Sequence, residues 1–137
     1  MKYIYGIFLL VLFFSFPGCS MEFRSYLKNN TDKIIVSFYS EHGSSNKVRN
    51  IIIINNKNRI SEIIDGISFR PAPYYKCGYT GRLDFYSGSD ILIEDGIEFN
   101  LSDECRHAVF SYGSSIYSKK ISTVTFRYLK QMYDMEF

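Results

Sequence analysis

No tryptophan occurs anywhere in this sequence, and histidine, cysteine and proline are nearly as scarce, at two, three and three residues. The histidines, His42 and His107, leave little from which to build a metal centre, because a zinc site takes four ligands, or three and an open position. Cations never cluster: Lys119-Lys120 is the one adjacent basic pair. Nucleic-acid binding needs a grouped positive face, so that class of partner is not expected. The sequence also lacks a glycine-rich phosphate loop, a nucleophile elbow, a paired-histidine motif and any internal repeat. With these motifs absent, neither a metal nor a cofactor is expected.

What is there begins with an apolar run. Lys2 is the only charge before Glu22, and Ile, Phe, Leu and Val dominate from Ile7 to Phe14. A short cationic start, an apolar stretch and a small residue near its end make a secretory signal peptide. A membrane-spanning helix needs about 20 apolar residues. Tyr3 to Pro17 supplies 15, and Pro17 would remove an amide donor from the last turn.

The run ends in Phe16-Pro17-Gly18-Cys19, which resembles the lipobox of bacterial lipoproteins. Gly18 and Cys19 match its two most restrictive positions, Phe16 is tolerated, and Pro17 departs from the usual Ala or Ser. The resemblance implies that residues 1–18 are removed and that Cys19 carries lipid; with no clear periodicity and the Asn29-Asn30-Thr31-Asp32 cluster, 19–33 reads as a polar tether to a domain at 34–137. Two or three acyl chains hold a protein stably at a membrane surface where one does not. Ser20, in place of the Asp of inner-membrane retention, leans the expected location towards the outer membrane or its periplasmic face. Ordinary cleavage, and an uncleaved anchor, are the competing readings.

Removing Lys2 from 16 basic residues leaves 15 against 14 acids, so the 119-residue remainder is almost neutral. With Cys19 committed to lipid, Cys77 and Cys105 form an even pair in an oxidising compartment, and a disulfide is expected. Closing that loop could stabilise the fold by roughly 3 to 4 kcal/mol. A thiol or metal site built from Cys77, Cys105 and His107 is the alternative.

Hydrophobic periodicity predicts an α+β domain with a mainly antiparallel sheet, one short internal helix and one C-terminal helix. Residues 34–40 and 50–56 read as strands, the second as a central one because four consecutive Ile imply burial on both faces. SEHGSSNK between them reads as a polar turn. Ile60, Ile63, Ile64 and Ile67 make a helical stripe with Asn58 as N-cap, and Gly66 weakens its last turn; a hairpin across 55–58 competes. Residues 69–81 form a loop held extended by Pro71 and Pro73. A meander follows, with turns at 87–90, at Asp95-Gly96 between strands 91–93 and 97–101, and at Gly113-Ser114-Ser115. Ser122 caps a final helix whose buried stripe is Val124, Tyr128, Leu129 and Met132.

Two constellations invite catalysis. Cys105 and His107, at i and i+2, have the residue types of a thiol nucleophile and its base, although such pairs usually come from separate elements. Asp90, Glu94, Asp95, Glu98, Asp103 and Glu104 could do acid–base work, but they fall at turns and at solvent-facing strand positions. Tyrosine is the stronger signal: ten remain after residue 18, and Tyr74, Tyr75 and Tyr79 flank Cys77. Tyrosine gives rigid contact area with a polar tip, so this loop is the expected partner-binding site, with Arg70, Arg82 and Arg106 nearby in sequence. Tyrosines merely covering a sheet edge are the bland alternative.

The tract CGYTGRLDFY, followed by IEFNLSDECRHAVFSYG and a SKKIS segment, is similar to small exported bacterial proteins of unassigned function. That resemblance supports the pairing of Cys77 with Cys105 and implies no activity. The expectation is a lipid-anchored, non-catalytic envelope protein that binds a protein or an envelope component. A thiol-dependent enzyme and a purely structural lipoprotein are the alternatives.

Overall fold

The computed structural model describes residues 18–40, 47–67 and 70–135, with side chains from Met21 onward. Residues 1–17, where the signal peptide is expected, residues 41–46, where a polar turn is expected, and residues 68–69 and 136–137 lie outside that set. Helix α1 (Gly18–Asn30) leads into strands β1 (Lys33–Tyr39) and β2 (Val48–Ile54), then helix α2 (Lys57–Ile67). Strands β3 (Gly81–Ser87), β4 (Asp90–Ile91), β5 (Ile97–Asn100), β6 (His107–Tyr112) and β7 (Ser115–Lys119) follow, and helix α3 (Thr123–Met135) ends the described chain. The fold is α+β. One antiparallel seven-stranded sheet runs in the order β2-β1-β3-β5-β6-β7, with β4 paired to the end of β3.

Alternation along the strands sorts side chains onto two faces. Ile34, Val36 and Phe38 of β1 share a face with Leu83, Phe85, Ile97, Phe99, Ala108 and Phe110. All are buried, and the helices cover them. Ile60, Ile63, Ile64 and Ile67 of α2 enter this core, as do Leu129 and Met132 of α3. The opposite face bears Ile35, Ser37, Tyr39, Arg82, Asp84, Glu98, His107 and Val109, and no helix among the described residues covers it.

Three expectations give way. First, residues 19–33 are not a tether: α1 spans most of them, and Phe23 and Leu27, four residues apart, are buried. The Phe23 ring stacks on Phe110 at 4.5 Å and meets Tyr112 at 4.7 Å. Asp65 of α2 receives Lys28 at 2.9 Å and Arg24 at 3.5 Å. Among its described residues only two apolar side chains seat the helix, too few for a clear period. The domain therefore begins before residue 34.

Second, β2 is an edge strand, not a central one. Ile52 and Ile54 face the helices, while Ile51 and Ile53 point to the open face at 57% and 58% exposure. An apolar run measures two apolar faces and does not require both to be covered.

Third, Asp95-Gly96 turns the chain without making the expected hairpin. Asp90–Ile91 pairs back onto β3 rather than onto β5. Gly96 has φ 64°, and a Cβ there would stand 2.7 Å from the Leu83 carbonyl oxygen, so glycine lets this turn close against β3.

Smaller corrections concern the helix ends. The α2 cap is Asn56, whose Oδ1 accepts the Arg59 N–H at 3.1 Å, two residues before the expected Asn58. Gly66 is where α2 meets α3: a Cβ there would lie 1.9 Å from Thr125 Oγ1. Thr125 Oγ1 donates to the Glu62 carbonyl, and the Ser122 N–H to that of Gly66. Ser122 does cap α3, accepting the Thr125 N–H at 3.2 Å. Thr125 replaces exposed Val124 in the buried stripe.

Candidate functional site

The proline-containing segment runs along β7 and seals that edge of the sheet. Lys120 N–H donates to the Arg70 carbonyl at 2.7 Å and Ala72 N–H to that of Ser118 at 2.9 Å. Ser118 Oγ donates to the Pro73 carbonyl at 2.9 Å, and the Tyr74 hydroxyl to that of Ile116 at 2.6 Å. Proline has no amide hydrogen and a fixed φ, so Pro71 and Pro73 suit an outermost pseudo-strand. Tyr74 ends this run at 66% exposure beside Ile116 at 59%.

Past Tyr74 the chain turns over the open face and is fastened by the Cys77–Cys105 disulfide. His107, at 0% exposure, lies beneath it. Its Nδ1 bonds the Cys105 carbonyl oxygen at 2.5 Å, and its ring meets Tyr75 at 5.0 Å and Tyr79 at 6.0 Å. Nε2 has no hydrogen-bond partner among the described residues. The Asn100 amide donates to the Gly78 carbonyl at 2.8 Å, and Thr80 Oγ1 accepts the Leu101 N–H at 3.0 Å. Disulfide, ring packing and hydrogen bonds together fix the loop before anything binds.

Next to the loop, β1, β3 and β5 carry a polar group. Tyr39 Oη donates to Glu98 Oε1 at 3.3 Å, and Arg82 Nε pairs with Asp84 Oδ2 at 3.1 Å. Burial first, then the Glu98 carboxylate, push the Tyr39 phenol up to about 12. Burial holds Glu98 above the usual carboxylate range, against the lowering effects of its Tyr39 bond and of Arg82. Burial and Glu98 also raise Tyr79. Arg82, Asp95, Glu98, Val109, Ser111 and Ile116 line a depression of about 450 Å³. It joins the polar group to the apolar end near Tyr74.

The predicted residues therefore divide. Tyr75 and Tyr79 are loop-packing groups on His107, Tyr74 is the presented side chain, and Arg82 lies on the same open face. Arg70 and Arg106 do not join them. Arg70 lies by Asp65, Lys120 and Ser122, while Arg106 stacks 3.4 Å above Phe126 of α3. Cys105, as half of a disulfide, offers no thiolate for the nucleophile pairing with His107. Glu98 is not a solvated acid but half-buried and bonded. Tyr39, Asp84 and Ile116 escaped the sequence reading, although strand alternation puts Tyr39 and Ile116 on faces that could have been followed.

Among the described residues, no group of three or more His, Cys, Asp or Glu could hold a metal ion, and no helix is long and apolar enough to cross a membrane. Cys19 falls in the first turn of α1, with its side chain outside the described set. No family model matches this chain, and comparison with curated proteins and with solved structures gives no match.

Proposed function

We propose that this chain is an exported lipoprotein, anchored through lipid on Cys19 at the outer membrane or its periplasmic face, that binds a protein partner without catalysis. The observation that carries the binding half is the braced Tyr74 loop. Tyr75, Tyr79 and the disulfide are spent on fixing it, and Tyr74 with Ile116 is left presented beside the depression at Arg82 and Glu98. A surface ordered before contact loses less entropy on binding, and a tyrosine anchor with a polar surround is typical of binding hot spots. The anchoring half is supported by the lipobox-like Phe16-Pro17-Gly18-Cys19 alone.

Two measurements test the two halves separately. Intact mass from a native membrane fraction, with thiols alkylated before unfolding, should show a chain beginning at diacylated Cys19 with Cys77 and Cys105 unalkylated. An unlipidated chain would sink the anchor. Crosslinking in intact cells should capture a saturable partner that is lost in Tyr74→Ala with Ile116→Ala, while thermal unfolding stays unchanged. Undiminished capture by that variant would move the binding surface elsewhere, and no saturable partner would favour a purely structural lipoprotein.

A further inference from the structure

We infer that β2 is a self-association edge, across which two copies of this chain join their sheets antiparallel about a twofold axis centred on Ile52. The inference goes beyond the proposed function and uses no part of the lipid reading.

The two sheet edges are treated unequally. The β7 edge is occupied by residues 70–74 through four hydrogen bonds and two prolines. Beyond β2 no strand pairs among the described residues. Natural sheets blunt such edges with charge, proline or a cover, because unpaired N–H and C=O groups recruit other strands. Here the edge is seven residues long and carries exposed Ile51 and Ile53. The Ile51 N–H points away from β1 and is held at 2.8 Å by Asn50 Oδ1 of its own strand. By alternation the backbone groups of Ile53 point the same way.

A second copy fits this edge better than an unrelated strand does. With the twofold at Ile52, Ile51 lies opposite Ile53 of the second copy, and Ile53 opposite its Ile51. Moving the centre by one residue sets one of the two against Arg49 or Asn55 instead. The Ile51–Ile53 pairs become hydrogen-bonded ones, with the Asn50 bond exchanged for ladder bonds. The sealed β7 edge stops further addition, so the contact closes as a pair instead of growing into a fibre. Two cations near β2 turn towards the helices: Arg49 lies over Tyr133, and Arg59 over Tyr128 and beside Glu62. The open face of β2 itself carries exposed Val48, Ile51 and Ile53.

The full chain, expressed in intact cells, is the material for the test. Chains carrying Ile51→Cys or Ile53→Cys are oxidised under mild copper catalysis, separately and mixed, and maleimide labelling confirms that each new thiol is accessible. The mixture should give a crosslinked band of two-chain mass several-fold stronger than either chain alone. Equal background in all three samples, or bands with other proteins in place of the two-chain species, would overturn the inference. Ile53→Lys supplies the second reading. Because Ile53 is outside the core, its thermal midpoint should hold while the chemically crosslinked dimer disappears, and persistence of that dimer would also overturn the inference.

Discussion

Tyr39 shows how much a single residue depends on which face is covered. It is buried beside Glu98, and its phenol is held at about 12 against 10.0 in the unfolded chain. Because the folded value is the higher, this group's contribution to stability is complete below pH 10 and is lost as the pH rises through about 12. An absorbance titration of the folded protein should show a tyrosine ionising last, and Tyr39→Phe should remove that component. Glu98→Gln should bring it down, since the Glu98 charge is the second cause of the shift. Glu98 itself follows the same sign at acid pH. Its folded value lies above the ordinary 4.5, so its contribution is complete below that pH and declines as the carboxylate forms. Glu98→Gln should therefore gain stability relative to wild type between acid and neutral pH in denaturant melts, and a difference independent of pH would contradict this. None of this was legible in the sequence. Alternation placed Glu98 on the face away from the core, but nothing local announces that Tyr39 and Tyr79 fold over it. Tyr74, Tyr75 and Tyr79 were legible as a group, yet their division into one presented and two packing side chains depends on His107, thirty residues later.

Among the elements, those with strong periods are legible in the sequence and those seated by few residues are not. The Ile60, Ile63, Ile64 and Ile67 stripe gave α2, and Ser122 gave the start of α3. Helix α1 is not legible because Phe23 and Leu27 are the only buried apolar side chains among its described residues, and the polar stretch at 28–32 reads as a turn. It is nonetheless part of the core. Phe23→Ala should cost about 3 to 5 kcal/mol in chemical denaturation, the range for emptying a buried aromatic site. A loss below about 1 kcal/mol, the level of an ordinary surface change, would restore the tether reading. The α2–α3 contact gives a sharper case, because two effects oppose each other. Gly66→Ala gains roughly 1 kcal/mol of helix propensity, yet its methyl would stand 1.9 Å from Thr125 Oγ1. Overpacking of this kind costs about 1 to 3 kcal/mol, so the net change should be destabilising, and a stabilised variant would show that the two helices separate freely. The Cys77–Cys105 bond was legible from cysteine parity. Its removal by paired Ser substitutions should cost roughly 2 to 4 kcal/mol and free the tyrosine loop, read as faster amide exchange at 75–79.

For the whole molecule, the α+β class and the antiparallel sheet followed from alternation and turn residues, whereas strand order did not. Sequence fixes which side chains share a face; only tertiary contacts decide which strand ends the sheet, as the Ile51–Ile54 run shows. That order matters to the anchor. Helix α1 crosses the sheet from Phe23, stacked on Phe110 and in contact with Tyr112 of β6, to Asn30, shortly before β1 begins at Lys33. Cys19 precedes Phe23 by four residues, about 6 Å of helix at 1.5 Å per residue. Under the proposed lipidation no flexible spacer separates bilayer from domain. The β6–β7 side must then lie at the membrane surface, with β2 five strand spacings away, about 24 Å at 4.8 Å each. Fluorophores attached to Ser114→Cys, in the β6–β7 turn, and to Asn55→Cys, just past β2, report this directly in vesicles containing headgroup-labelled nitroxide lipid. Ser114 should be quenched strongly and Asn55 weakly. Equal, weak quenching at both would mean that the domain swings on a long leash and that α1 is released from Phe110 in the anchored protein. Stronger quenching at Asn55 would turn the open edge towards the bilayer, leaving no room for a second copy to pair there. The expected gradient instead keeps that edge and its isoleucines clear of the lipid, and a pair joined there carries its two β6–β7 sides at opposite ends of one sheet.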